Sequence, residues 1–466
     1  MHTRRAIGRF AVLAIISVAV WLVWPQRKLP TAILANGSKV TLRKITAGPK
    51  HVFRYATGWQ EVVYPILPRM LQAKLHPRQL EYETSSDELM LWLQLDDPPA
   101  TLTNGASFSF SIVDQNGLET ATDGLEWHTQ FPLPPTVSIG QSRGRTFSGR
   151  TINQFPRRQK QFHLRLYEID SQFDRKFVRD FLTTNPLKQI SVTELIPEKL
   201  PVTHQTNGLE ITLVRLETGF RESDLPAQPF LGSTKDARTL SRATLQVTEQ
   251  GQRGVKWSIS NVRLQSASGD EYYGHRTVAV GGPEFLQNGN RSAEVLYDFQ
   301  GPLWLEEPAW TLDLDLIRRE PYAANELWVI KNVRVPKDDE IVEAPQTVMR
   351  GKLQFEFLGI SGTNVPLSQT YPTELGAKLH LRIPDHMEDW AVAVVAVRDE
   401  RLQKVELGGY EVTLGDSQTD SRLRGIALKI PDGAKSLDFT IAVTQVHHVQ
   451  FTAKPVLFVP DKKTGN

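Results

Sequence analysis

The sequence contains one arrangement of residues that could supply a catalytic nucleophile. Gly140, Ser142 and Gly144 follow the pattern GxSxG, which in esterases holds the serine on a sharp turn between a strand and a helix. The helix matters because its N-terminus and nearby backbone amides stabilise the oxyanion of acyl transfer. Residues 145–150, RTFSGR, show no helical pattern, and no acid and histidine downstream stand out as partners. We therefore interpret the motif as a glycine-rich loop and expect no catalysis, with a serine hydrolase at Ser142 as the alternative.

Two other groups of polar residues invite comparison with metal sites. Asp313 and Asp315 lie two apart in an alternating strand pattern, so their carboxylates share one face and could bind calcium. The same pattern is typical of a solvated strand face, which is our interpretation. His447 and His448 are adjacent and would point to opposite sides of a strand, away from any single ion. Because the chain also lacks a P-loop and a dinucleotide-binding pattern, we predict neither a metal nor a cofactor.

The ten tryptophans suggest a carbohydrate site, because flat aromatic rings can stack on sugar faces. Four of them lie in strand patterns among apolar neighbours, where we expect core packing: Trp92, Trp257, Trp310 and Trp328. Four others lie nearer turns or acidic residues, and we predict that they are exposed and contact a glycan or a protein partner: Trp59, Trp127, Trp304 and Trp390.

The N-terminal residues predict a membrane anchor or an export signal. Residues 10–24, FAVLAIISVAVWLVW, contain Ser17 as their only polar residue and follow three arginines. A cleaved signal needs small residues soon after the apolar run, whereas the nearest candidate site ends at Ala35. We therefore expect an uncleaved single-pass helix. Residues 1–9 would form a cytoplasmic tail, because a basic flank stays in the cytoplasm, and the body would lie on the far side of the membrane.

Charge and cysteine content narrow the classes of partner. Of the 54 basic side chains, 5 lie in the first 28 residues, which hold no acid, so the rest of the chain has 49 basic and 52 acidic side chains. Nucleic-acid binding draws much of its affinity from a basic excess, and we therefore expect no nucleic-acid partner. The chain has no cysteine, which excludes disulfides, thiol nucleophiles and thiolate metal sites.

Beyond residue 80 the hydrophobic pattern alternates with a period of two. In SFSFSIV, residues 107–113, Phe108, Phe110 and Ile112 share one face of what should be a half-buried strand, and Asn-Gly at 116–117 supplies a turn. The same alternation recurs along the chain, with 31 glycines and 29 prolines between the runs. This pattern predicts a mainly β fold of antiparallel, Ig-like β-sandwiches.

Comparison of the chain with itself indicates one module used three times. A glycine, an alternating strand and a turn begin at three places: Gly37, Gly208 and Gly351. Two strands ending at a proline, which cannot extend a sheet ladder, close the modules at Pro186, Pro336 and Pro455. We predict tandem modules at residues 31–196, 201–345 and 347–460, joined by proline-bearing, charged linkers.

Two segments also resemble stretches in a family of uncharacterised bacterial proteins that have one N-terminal membrane segment and a β-rich body. They are LANGSKVTLRKITAGPKHVFRY from Leu34, and FPRRQKQFHLRLYEID from Phe155 with the later TTNP. The resemblance covers mainly residues 31–190 and implies the bacterial cell membrane, with the body in the periplasm. It implies no activity.

These observations predict a membrane-anchored extracytoplasmic binding or scaffold protein without catalysis. Its partners would be the membrane, through the N-terminal helix, and an unknown envelope protein or glycan. The alternatives are glycan or cell-wall binding through exposed tryptophans, and the serine hydrolase at Ser142.

Overall fold

The computed structural model describes residues 29–35, 37–55, 78–96, 108–121, 139–142, 145–169, 175–187, 194–206, 208–221, 239–253, 256–276, 294–319, 321–337, 340–366, 375–384, 389–415 and 421–460. Within these ranges there are 27 strands, and the only helical element is the 3-10 turn Ala324–Glu326. The expected mainly β fold with several antiparallel sheets is confirmed. No helix in this part of the chain has the length and apolar character needed to cross a membrane. The predicted anchor, residues 10–24, lies outside it.

The first unit consists of two sheets around one core. Its strands are β1 (Thr31–Ile33), β2 (Lys39–Tyr55), β3 (Arg78–Asp96), β4 (Phe108–Val113), β5 (Glu119–Ala121), β6 (Ile139–Ser142), β7 (Arg145–Ile152), β8 (Gln161–Ile169) and β9 (Arg175–Thr184). One sheet has the order β1-β2-β3-β7-β6 and the other the order β5-β4-β8-β9. Alternate residues of both sheets, among them Leu91 and Phe110, enter the shared core.

Strand β4 is more deeply buried than its alternating sequence pattern predicts. The structure corrects the expectation of a half-buried strand, because every residue from Phe108 to Val113 is buried. The serine face is covered by polar side chains from neighbouring strands. Arg175 Nε donates to Ser109 Oγ at 3.1 Å, and Ser111 donates to Glu119. The turn expected at Asn116 and Gly117 is present, with Gly117 at φ +80°.

The second unit is built around one large sheet. Its strands up to residue 318 are β10 (Val202–Thr206), β11 (Leu209–Phe220), β12 (Leu240–Glu249), β13 (Gln252–Arg253), β14 (Trp257–Ser266), β15 (Glu271–Arg276), β16 (Glu294–Phe299) and β17 (Trp310–Arg318). The main order is β10-β11-β12-β16-β15-β14-β17, and β13 pairs with the end of β12. The inward side chains of these strands form one hydrophobic core that includes Trp304 and Trp310.

The third unit again has two sheets around one core. Its strands are β18 (Leu327–Arg334), β19 (Ile341–Arg350), β20 (Leu353–Pro366), β21 (Leu375–Pro384), β22 (Trp390–Asp399), β23 (Glu406–Gly415), β24 (Ser421–Lys429) and β25 (Ser436–Gln445). The sheets have the orders β18-β25-β22 and β19-β20-β21-β24-β23. Phe357 and Phe439, from different sheets, meet in the core with ring centroids 5.3 Å apart.

The chain then returns to the second unit with β26 (His447–Ala453) and β27 (Val456–Leu457). Strand β26 pairs antiparallel with β17, and β27 pairs parallel with β11. The third unit is therefore inserted between two hydrogen-bonded neighbours of the second. The predicted second module, residues 201–345, contains β18, which pairs in a sheet of the third unit. The predicted third module, residues 347–460, contains β26, which pairs in the sheet of the second unit.

Candidate functional site at the junction of the first two units

The described residues of the GxSxG segment, Gly140 to Ser142, lie in strand β6. Strand β6 ends at Ser142, and Ser142 pairs with Arg145, the first residue of β7. Gly140 and Ser142 therefore belong to a strand, and the residues from Arg145 onward form the antiparallel strand β7. A nucleophile elbow instead requires a helix after the serine, whose N-terminus helps to stabilise the oxyanion.

The tryptophans predicted as contacts fall into different environments. Trp304 is 1% exposed within the core of the second unit, so its ring offers no face for a sugar. Trp390 is half-buried, and its ring meets that of Phe355 edge-on at 6.5 Å between centroids. Trp59 and Trp127 lie outside the described residues. Core packing is confirmed for Trp92, Trp310 and Trp328, and Trp257 is half-buried.

Asp313 and Asp315 lie on the outer face of β17 and are paired with neighbouring strands. Arg263 Nη2 donates to Asp313 Oδ2 at 3.0 Å, and His448 Nδ1 lies 2.7 Å from Asp315 Oδ1. The other histidine, His447, points to the opposite side of β26 and packs on the Trp257 ring. Among the described residues, no three acidic or histidine side chains are grouped as metal ligands would be.

A buried ion pair lies between the first and second units. Arg157, in the loop before β8, donates from Nε to Asp270 Oδ1 at 3.0 Å, and the two side chains are 5% and 0% exposed. Arg157 also donates from Nη2 to the carbonyl of Asn153 at 3.0 Å and from Nη1 to the carbonyl of Asp87. Its guanidinium lies 4.5 Å from the Phe155 ring centroid. Its guanidinium therefore bonds to two carbonyls of the first unit and to one carboxylate of the second.

Asp270 is held by a tight turn between β14 and β15. The Asp270 amide donates to Ser266 Oγ at 2.9 Å, and the Ser266 amide donates to the Asp270 carbonyl at 2.8 Å. Gly269, at φ +97°, allows the chain to turn. The carboxylate is thus directed at Arg157, while its Oδ2 atom is buried with no hydrogen bond of normal geometry.

A second ion pair lies beside the first. Arg158 Nε donates to Glu307 Oε2 at 3.2 Å, and Glu307 Oε1 accepts from the hydroxyl of Ser268. The Glu307 side chain is 1% exposed and that of Arg158 is 30% exposed. Consecutive arginines of the first unit therefore each meet an acid of the second.

Backbone and apolar contacts extend the junction. The Thr239 amide donates to the Glu119 carbonyl at 2.9 Å, and the Glu119 amide donates to Thr239 Oγ1 at 2.8 Å. Leu118, held by a turn in which its amide donates to Asp114 Oδ1 at 2.7 Å, belongs to the hydrophobic core of the second unit. The first unit thus contributes the Leu118 side chain to the core of the second unit, and its Glu119 forms hydrogen bonds with Thr239 of the second unit.

Burial controls the protonation of the two acids. Burial raises the pKa of Asp270 to about 7, although the charge and hydrogen bond of Arg157 lower it and the charge of Glu307 raises it further. Burial also raises the pKa of Glu307, against the hydrogen bond of Ser268 and the charge of Arg158, which lower it. The junction is therefore an ion-pair cluster whose acids hold protons more tightly than exposed carboxylates do.

The sequence patterns did not indicate this cluster. Arg157 and Arg158 lie in the segment FPRRQKQ, and Asp270 lies in the turn ASGDEYY. Adjacent arginines after a proline and an acid after a glycine are ordinary surface patterns, so neither indicated burial. The ion pairs and hydrogen bonds of the junction dock one unit on the other.

No protein-family model matches this chain, and no curated protein matches it either.

Proposed function

We propose that this chain is a membrane-anchored extracytoplasmic binding or scaffold protein without catalysis, composed of tandem Ig-like β-sandwich modules after a single N-terminal helix. The observation that carries the proposal is the junction in which Arg157 and Asp270 are buried together and Leu118 enters the neighbouring core. Separation would expose the apolar surface that Leu118 buries in the second unit, so the contact favours one relative orientation of the two units. Fixed orientation suits a protein that presents separate surfaces to a partner.

The attachment of the third unit supports the same proposal. The chain leaves the second unit after β17 and returns in β26, which is hydrogen-bonded to β17. The second and third units are therefore joined by two chain connections, which restrict their relative rotation more than a single linker does. His448 Nε2 also lies 3.2 Å from Asp389 Oδ1, which joins the second unit to the third.

Location can be tested with single cysteines, because the natural chain has none. We would compare Thr3→Cys with Val459→Cys, whose position is 76% exposed, using a membrane-impermeant maleimide on spheroplasts. The proposal predicts that Val459→Cys is labelled on intact spheroplasts and Thr3→Cys only after lysis. The opposite pattern, or recovery of the chain in the soluble fraction, would contradict the anchored topology.

Partner binding can be tested by cross-linking the full chain in intact cells and identifying the products by mass spectrometry. A scaffold role predicts a defined protein partner whose yield falls in a junction variant, Arg157→Met. Retention on cell-wall polymer alone, with no protein product, would favour the glycan alternative.

The hydrolase alternative has a separate test. We expect no labelling of the chain by a fluorophosphonate probe. Labelling that is lost in Ser142→Ala and kept in Ser148→Ala, a matched serine on β7, would overturn the non-catalytic proposal.

A further inference from the structure

The exposed apolar side chains of the first unit are gathered on two adjacent strands. In the described part of that unit, every large apolar side chain that is exposed lies on β1, on β9 or just before β1: Leu29, Ile33, Phe177 and Leu182. Their exposed fractions range from 38% at Leu29 to 69% at Ile33. Single exposed apolar residues are ordinary on a protein surface, whereas a group of them on neighbouring strands indicates a contact surface.

Strands β1 and β9 belong to different sheets and meet at one edge of the unit. Among the described strands, β1 is the outermost strand of one sheet and β9 that of the other. Arg179 Nη1 donates to the Thr31 carbonyl at 2.7 Å, which joins the two strands directly. The Ala35 amide donates to Glu168 Oε2 at 3.2 Å, on the strand that neighbours β9. We call the surface formed by the two strands the β1–β9 edge.

The same edge carries an excess of basic groups. Strand β9 contains three basic residues, Arg175, Lys176 and Arg179, and one acid, Asp180. Asp180 Oδ1 lies 2.8 Å from His163 Nδ1, whereas Lys176 and Arg179 are exposed. Basic and apolar side chains together suit a surface of anionic lipid, because the charges attract the headgroups and the apolar side chains enter the interface.

In the anchored topology proposed above, the chain holds this edge beside the membrane, so the inference rests on the proposed function. The apolar run ends at Trp24, and β1 begins at Thr31. The seven residues from 25 to 31 reach at most about 25 Å when fully extended. Two of them, Arg27 and Lys28, are also basic. The short connection therefore holds the β1–β9 edge near the lipid surface.

We propose that the β1–β9 edge docks on the anionic lipid surface of the membrane that holds the anchor. The exposed apolar side chains of the edge enter the headgroup region, and Lys176 and Arg179 attract the lipid phosphates. Docking holds the first unit in one orientation above the bilayer, where a linker alone would let it turn.

Quenching by lipid-attached nitroxides on the full chain tests the proposal. The chain has no cysteine, so the single variants Ile33→Cys and Leu182→Cys can each carry a fluorophore while Phe177 stays in place. Matched sites in the third unit are Met349→Cys and Val329→Cys, whose positions are 55% and 50% exposed. Each variant is reconstituted in vesicles of phosphatidylcholine and phosphatidylglycerol. We expect quenching at the two edge sites to be at least about twofold greater than at the third-unit sites.

Charge reversal separates docking from mere closeness to the bilayer. Lys176→Glu should lower the quenching at Leu182→Cys, because the edge then attracts anionic headgroups less strongly. The matched change of an exposed lysine in the third unit, Lys331→Glu, should leave it unchanged. Vesicles of phosphatidylcholine alone should lower the quenching as Lys176→Glu does. Quenching that responds to neither change would overturn the proposal.

Carbonate extraction of the same vesicles reports the anchor independently. A chain that stays in the membrane, with edge sites quenched no more than the third-unit sites, would overturn docking and leave the anchor intact. A chain that carbonate removes would overturn the anchor and this inference with it. Energy transfer between copies labelled at Leu182→Cys, without quenching by lipid, would assign the edge to self-association and overturn lipid docking.

Discussion

Arg157 of the first unit and Asp270 of the second form an ion pair at 3.0 Å in which the side chains are 5% and 0% exposed. They lie 113 positions apart in the chain. Removing one partner of such a pair leaves a buried charge with no counter-ion, which is costlier than removing both.

Well above pH 7, where the Asp270 carboxyl is ionised, the variant Arg157→Met should lower the free energy of unfolding by about 3–5 kcal/mol, because Asp270 stays buried without its cation. Adding Asp270→Asn should recover part of this loss. Denaturant unfolding of the two single variants and the double variant measures the coupling. Arg382→Met, which breaks a partly exposed pair with Glu356, is the control and should change stability little. Strictly additive losses would show that the two residues do not interact.

The His448 side chain should make stability depend on pH. Burial alone would lower its pKa, but hydrogen bonds and charges of Asp315 and Asp389 outweigh this and raise it. A raised pKa gives stability that is present below the unfolded value near 6.5 and lost as pH rises past the folded value. The stability difference between wild type and His448→Gln should therefore be larger at pH 5.5 than at pH 9. His447, whose pKa is lowered mainly by burial, is present in both proteins, so its contribution to the pH dependence cancels in the difference between them. A difference that does not vary with pH would contradict this assignment.

Gly301 should not tolerate a side chain. It has φ +144°, and an added Cβ would overlap the ring of Tyr272, whose hydroxyl donates to the Pro302 carbonyl at 2.9 Å. We expect Gly301→Ala to cost about 1–3 kcal/mol from overpacking and loss of this hydrogen bond. Gly433→Ala is the control, because Gly433 also has a positive φ but open space around it. Thermal unfolding compares the two, and equal losses would mean that only backbone conformation matters.

The second unit should depend on the C-terminal strand. Truncation after Gln445 removes Val449 and Phe451 from its core and leaves β17 paired on one side only, with β14. We expect the β17 amides that bond to β26 to lose their exchange protection and the second unit to become sensitive to protease. Truncation after Pro460 keeps β26 and β27 and should behave as the full chain does. Unchanged protection of β17 in the shorter chain would show that the second unit folds without β26.

Local patterns predicted much of the strand content. The alternation of Phe108, Phe110 and Ile112 indicated which side of β4 enters a core, because side chains of a strand alternate between its faces. It did not indicate that Ser109 and Ser111 are buried too. That burial depends on Glu119 and Arg175, which reach this face from other strands.

The sequence by itself determined the mainly β class, the absence of cysteine chemistry and the apolar N-terminal segment, because each depends on composition or on short-range periodicity. The tertiary structure decided that β26 pairs with β17, that Trp304 is enclosed and that Arg157 meets Asp270. These are contacts between distant residues. Hydrogen bonding between strands and the burial of charge depend on which surfaces meet. A local sequence pattern does not specify which distant segment it will contact.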